Sequence, residues 1–310
     1  MTTAAERQIE RGRSPARREL QRGQVARLRI ANAETCETRL VVEVDSLIEA
    51  PNWTPDGRWL VVNGGGRLHR IAAEGSGSLQ EIDTGPVRAC NNDHVLSPDG
   101  ETIYLSAAGE LYSVPFAGGE PKRISNVHDA SRQYRYFLHG VSPDNQTLAY
   151  VAVEIFDGDP WGRVNIATIP TAGGPDRFLT DLQVRADGPE YSPDGRWIYY
   201  NSEQVATMAG HAQIFRMRPD GTGAEQLTFD DRVNWFPHVS PDGRSLVYLS
   251  YPPGTTNHPA DLDVILRVMP SEGGEPRDIV GFNGGQGTIN VNSWAPDSKR
   301  FAYVEYAFAD

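Results

Sequence analysis

A short segment of Ser, Thr or Ala followed by Pro-Asp recurs six times along the chain, and nothing else in the sequence restricts its fold so strongly. The copies are Thr54-Pro55-Asp56-Gly57, Ser97-Pro98-Asp99-Gly100, Ser142-Pro143-Asp144-Asn145, Ser192-Pro193-Asp194-Gly195, Ser240-Pro241-Asp242-Gly243 and Ala295-Pro296-Asp297-Ser298. Their prolines lie 43, 45, 50, 48 and 55 residues apart, which is the length of a four-stranded blade rather than of a helical hairpin. The chemistry is that of a strand-reversing turn. Ser or Thr bonds its own turn backbone, Pro presets φ, Asp tolerates the bridge region, and Gly accepts positive φ at the exit.

After each turn comes a β-branched or aromatic run: Trp59-Leu60-Val61-Val62, Thr102-Ile103-Tyr104-Leu105, Thr147-Leu148-Ala149-Tyr150-Val151, Trp197-Ile198-Tyr199-Tyr200, Leu246-Val247-Tyr248-Leu249 and Phe301-Ala302-Tyr303-Val304. These read as buried strands. A third strand follows, as in Leu111-Tyr112-Ser113-Val114, then a Gly-rich turn such as Ala117-Gly118-Gly119 and a short fourth strand. After the sixth turn only one more strand fits before Asp310. Residues 26–45 supply the missing outer pair through Ala26-Arg27-Leu28-Arg29-Ile30 and Arg39-Leu40-Val41-Val42-Glu43-Val44. The expectation is an all-β, six-bladed β-propeller of four-stranded antiparallel blades, its ring closed by N-terminal strands that complete the C-terminal blade and leave no free sheet edge.

Residues 25–310 then form one domain, a size that allows a large buried core. Residues 1–24 hold six Arg (Arg7, Arg11, Arg13, Arg17, Arg18, Arg22) against three Glu and read as a solvated basic arm. No apolar stretch follows that could serve as a signal-peptide core, and none reaches transmembrane length. With Cys36 and Cys90 the only cysteines, no disulfide framework is expected, and the cytoplasm is the expected compartment. Twenty-nine basic against 41 acidic side chains give a net charge of −12, which argues against nucleic acid or an anionic membrane as partner.

In such a ring the innermost strand of each blade runs down the channel to its Pro-Asp turn, so these turns lie on a lower face. The longer loops, 84–94, 125–139, 154–163, 201–212, 229–238, 250–262 and 280–292, gather on the upper face. Long loops cost ordering entropy and persist where they bind or catalyse. Polar side chains concentrate where they lead into the inner strands: Asn52, then Asn91-Asn92-Asp93-His94, His139, Asp187 and Glu190, Asn234 and His238, and Gln286, Asn290 and Asn292. Convergence of several strands at one mouth brings such groups together. Register opposes this, because His94 and His139 stand three residues before their turn Ser while Glu190 and His238 stand two before; only an irregular strand brings all of them inward. Trp161, Asp261 and Asp263 on longer loops have the chemistry of a sugar rim, an apolar ring face with hydroxyl acceptors, and Arg132 could bind a carboxylate. There is no Gly-x-Ser-x-Gly elbow, phosphate loop, dinucleotide fingerprint or His-Glu-x-x-His helix, so no nucleotide cofactor is expected.

The Ser-Pro-Asp-Gly turns and the downstream Gly-Gly or Asp-Gly-Thr-Gly turns resemble the repeats of TolB-like six-bladed β-propellers over about residues 25–310. That architecture serves binding proteins, lyases and hydrolases alike. A weaker resemblance is to the propeller oligogalacturonate lyases, whose metal set of three His and one Gln is similar to His94, His139, His238 and Gln286. That resemblance implies a divalent ion (Mn, Ca or Zn) that acidifies the α-proton of a uronate, with Glu190 or His258 as the base and Asp187 beside it. The larger propeller and paired His-x-His of that family are absent here.

The expected function is therefore a carbohydrate-active enzyme at the upper mouth, a metal-assisted lyase on a small uronate-containing sugar. Asn52, Asn92, Arg132, Trp161, Asn234, Asp261, Asp263 and Asn290 would line its substrate. The near variant is a glycoside hydrolase drawing two carboxylates from Glu190, Asp187, Asp261 and Asp263. The alternative from another class is a non-catalytic propeller that docks a peptide or protein on the same face.

Overall fold

Each Ser-Pro-Asp segment ties itself together before it closes a hairpin. Ser97 Oγ donates to Asp99 Oδ1 at 2.5 Å, the Glu101 amide donates to the same carboxylate oxygen at 3.0 Å, and the Thr102 amide returns to Ser97 Oγ at 2.9 Å. Thr54 and Asp56, Ser142 and Asp144, Ser192 and Asp194, and Ser240 and Asp242 repeat the hydroxyl-carboxylate bond. Those bonds hold the Asp56 and Asp194 carboxyls down at about 2. The exit residue is left-handed throughout, at φ 75° for Gly57 and Gly100 and 59° for Asn145 and Ser298. In the sixth copy Ala295 offers no hydroxyl, and Asp297 accepts only from the Lys299 and Arg300 amides and from the Arg300 guanidinium.

The computed structural model describes residues 18–156, 159–181, 183–206 and 208–308. These build five four-stranded antiparallel sheets and a sixth whose named strands are Thr38–Val44, Gln24–Asn32 and Arg300–Phe308. The inner edge of that sixth blade is a looser segment joined by the single bridge Trp294↔Phe301. Gln24–Asn32 pairs with Arg300–Phe308 from Gln24↔Phe308 to Asn32↔Arg300, so the ring closes as expected, through strands from opposite ends of the sequence. Residues 154–163, expected as a loop, instead continue two strands, Thr147–Phe156 and Asp159–Pro170, to a pairing of Phe156 with Asp159. Residues 1–17 of the basic arm lie outside the described residues. Among the described residues no helix is long and apolar enough to cross a membrane.

The core lies between blades. Trp235, Phe236 and Tyr251 of the fifth pack against Trp294, Phe301 and Tyr303 of the sixth. Leu28, Val304 and Tyr306 of the sixth pack against Leu60, Val62 and Ile71 of the first. Each such side chain, fully withdrawn from water, contributes about 1.5–3 kcal/mol, so every blade depends on both neighbours.

The inner strands carry the feature that builds the site. Glu49–Trp53, Cys90–Leu96, Arg135–Val141, Ala186–Tyr191 and Val233–Val239 all lose register with their second strands, at Glu49/Asn52, Cys90/His94, Leu138/Gly140, Asp187/Glu190 and Trp235/His238. In three of them a left-handed residue is followed by proline: Ala50 (φ 52°) and Pro51, Gly188 (φ 64°) and Pro189, Phe236 (φ 54°) and Pro237. Proline has no amide to give to the ladder, so pairing breaks there and the strand bulges. Residues of opposite parity can then face the same channel.

Candidate functional site

Two polar layers fill the channel. The deeper one centres on Glu190, whose Oε2 lies 2.5 Å from His238 Nδ1 and whose Oε1 accepts from the Val239 amide at 2.9 Å and Asn292 Nδ2 at 2.6 Å. His238 Nε2 faces the Ile289 carbonyl at 2.5 Å. Asn52 continues this belt by accepting from the Leu96 amide and donating to the Asn292 carbonyl. Most polar ends in the belt bind another blade, so the layer laces the ring together. Against this belt lies a cavity of about 280 Å³ whose walls include Asn52, Glu190, Asn292 and His139 together with Trp53 and Trp294.

The upper layer is different. The bulges bring Asp93 from the second blade, His139 from the third, Asp187 from the fourth and His258, on the 252–261 loop of the fifth, to one point. His139 Nε2 lies 3.3 Å from Asp187 Oδ1 and 3.9 Å from Asp93 Oδ1. His139 Nδ1 donates to the Asn290 carbonyl at 3.0 Å. His258 Nε2 is 4.0 Å from Asp187 Oδ2, and its ring stands edge-on to Trp235 and Phe236. Asn91 Nδ2 donates to Asp93 Oδ2 and the Gly188 amide to Asp187 Oδ1.

Burial sets the charges. It drives the Asp93 carboxyl up to about 7, against the pull of His139. It would lower His139, but the hydrogen bond to Asp187 and the charges of Asp93 and Asp187 outweigh it and raise that imidazole to about 9. Asp187, resisting the same burial, is held below the ordinary carboxylate range by His139 and His258. Burial also lowers His258, against the pull of Asp187. One carboxyl is thus ready to donate a proton and its neighbour to accept one. Both lie within 3.9 Å of a single nitrogen, so their nearest oxygens are no more than 7.2 Å apart. Splitting two carboxyls in this way assigns acid and base roles.

Of the residues read from the sequence, His139, Asp187, His258, Gln286 and Asn290 meet at this throat. Gln286 reaches His258 and accepts from Asn290 Nδ2. Glu190, His238 and Asn52 belong to the deeper belt. His94 turns toward the backbone of Val61 and Asn91, where burial lowers it to about 4. Asn92 is buried in the same strand. Asn234 is held by Asp230 and Ser250, and Arg132 by Glu154, away from the channel. Asp263 is exposed in the strand Leu262–Pro270. The side chain of Trp161 lies outside the described residues. Asp93 stood among the polar residues at the mouth without a role of its own, and Glu49 was not singled out; the signal for the throat was the proline four residues before the turn proline, as at Pro51, Pro189 and Pro237.

The set of His94, His139, His238 and Gln286 does not fit a divalent ion. Both nitrogens of His238 and of His139 already face oxygens within the protein, and His94 belongs to another layer. Among the described residues no three His, Cys, Asp or Glu side chains are grouped to hold a metal. Register and bulging separate the members of the expected ligand set.

No family model matches the sequence. It is 38% identical over 286 residues to an uncharacterized protein of Agrobacterium fabrum, covering 90% of this chain and 92% of the other. A TolB homologue of Chlorobium luteolum is 30% identical over 144 residues, 46% of this chain and 28% of that one. Among solved structures, one from Agrobacterium tumefaciens with a provisional TolB assignment superposes with a TM-score of 0.83 at 37% identity, over 92% of this chain and 99% of that chain. A manganese-bound oligogalacturonate lyase superposes with a TM-score of 0.57 at 17% identity, over 81% and 71%, a likeness of fold alone.

Proposed function

This chain belongs to the TolB-like family of six-bladed β-propellers, and from that premise we propose that its upper throat is the active site of an enzyme cleaving a small carbohydrate by general acid–base catalysis. The observation that carries the reading is the opposite tuning of Asp93 and Asp187 about His139. Asp93, protonated near neutrality, gives its proton to the leaving oxygen. Asp187, ionised, activates water or supports the developing positive charge at the sugar carbon. His139 fixes the distance between them, and His258, held against Trp235 and Phe236, offers a further polar contact. The paired-carboxylate variant is preferred over the metal-assisted lyase because the lyase's donors do not meet. The presence of only two cysteines, Cys36 and Cys90, suits a reducing compartment such as the cytoplasm.

The test is turnover of a panel of neutral and uronate-containing oligosaccharides, read as new reducing ends, with D187N and D93N alongside. Hydrolysis lost in both variants supports the reading. If no sugar is turned over and none binds in calorimetry, the reading fails.

One observation favours a second reading, a docking surface for another protein. Val127, Val184, Val205, Met208 and Phe229, between 38% and 85% exposed, all sit on upper-face loops of the third to fifth blades. Replacing Val205, Met208 and Phe229 by Ser would then abolish capture of a partner while D93N would not; the opposite pattern rejects this reading.

A further inference from the structure

The described end of the basic arm is part of the throat. Arg18 Nη1 donates to the Gln286 carbonyl at 2.7 Å and lies 3.6 Å from Glu49 Oε1, while Nη2 donates to Asp261 Oδ1 at 3.0 Å. Its guanidinium lies 3.8 Å from the centre of the Tyr306 ring. Gln24 Nε2 donates to the same Asp261 oxygen at 2.9 Å. Glu49, whose carboxyl burial raises, has Arg18 as its cation and Asn63 as its hydrogen-bond donor.

The two groups that Arg18 grips flank His258 on either side. Asp261 ends the loop that carries His258, and Asp261 itself is left-handed at φ 60°. Gln286 stands on the facing loop, where its amide donates to the Pro259 carbonyl at 3.1 Å and its side chain reaches the imidazole. No space is left for slack: a Cβ on Gly285 would meet the Pro259 carbonyl oxygen, and one on Gly287 would sit 2.7 Å from Glu49 Oε1. A planar fork with donors on two edges can hold two loops at once, which a lysine cannot.

We infer that Arg18 is a positioning residue, which clamps the 252–261 and 284–290 loops together and thereby fixes His258 against Asp187. The consequence for catalysis rests on the acid–base reading of the throat; the placement of His258 does not.

The test is carbethoxylation of His258 in the full chain, followed by mass spectrometry, with His128 on the third blade as internal control. In R18M the rate at His258 rises about fivefold as the loop opens locally, while His128 and the exposed-arginine control R22A stay at the wild-type rate. R18K does not restore protection; added methylguanidinium does. If R18M leaves the His258 rate within about twofold of wild type, an independence expected of uncoupled groups, the inference is overturned. Should R18M not fold because Glu49 is left unpaired, R18M/E49Q removes that charge and decides by the same readout. Loss of His258 protection without any sugar turnover separates failure of the enzymatic reading from failure of this one.

Discussion

His139 Nε2 lies 3.3 Å from Asp187 Oδ1, a contact between the third and fourth blades that is almost sealed from water, with side chains 4% and 15% exposed. The imidazole is raised to about 9 by that hydrogen bond and the two carboxylates, against its own burial. A group whose folded value lies above its unfolded one stabilises fully below the unfolded value of 6.5 and loses that contribution as pH climbs to the folded one.

The wild-type protein should therefore lose stability between pH 6.5 and about 9, and H139Q should be less stable at pH 6.5 by about 3 kcal/mol with a flatter profile above it. Urea unfolding at a series of pH values measures both. An H139Q profile as steep as that of the wild type rejects the assignment.

Asp93 is shifted the same way, but by burial rather than by its partners. Its carboxyl, raised to about 7 by burial, must be protonated to act as acid. The rate constant kcat/KM should fall tenfold per unit above pH 7, with no matching fall on the acid side down to about 4, because Asp187 ionises lower. D93N should lower kcat by about 100-fold and lose the alkaline fall. A pH–rate series decides this.

The deeper belt should separate stability from chemistry. Glu190 accepts from His238, Val239 and Asn292, so E190A leaves three buried groups without an acceptor and should cost about 3–5 kcal/mol. Once folded at low temperature, that variant should bind ligand as the wild type does. Denaturant titration and calorimetry test the two halves separately.

The sixth turn lacks the hydroxyl that five others share. A295S supplies it to Asp297, and thermal unfolding should show a gain of about 1 kcal/mol. A loss would mean that the buried Ala295 has no room for the oxygen.

The ring was legible because its signal is local and repeated: a Pro-Asp turn followed by Val, Ile and Tyr is the same physics six times. The throat was legible only in part. His139 and Asp187 stand in inner strands and His258 on an upper loop, and their residue types show them. That Glu190 and His238 lace blades while Asp187 and Asp93 both meet His139 depends on where each strand slips its partner, which parity alone does not fix. Pro51, Pro189 and Pro237 carried that information, since proline inside a strand marks a broken ladder. Arg18 was unreadable as a clamp, because its partners Glu49, Asp261 and Gln286 lie far along the chain and look like ordinary polar residues until the ring closes.

Because Gln24–Asn32 pairs with Arg300–Phe308, the seam of the ring cannot form until both of these distant strands have been made. Until residue 308 emerges, the first strand has only its hairpin partner, and the blade joining both ends stays half built. Closure of the ring therefore depends on a contact of very long sequence separation, which slows folding. A circular permutant that opens a lower turn and joins the native termini would move the seam and should refold faster from the blades nearest its new ends.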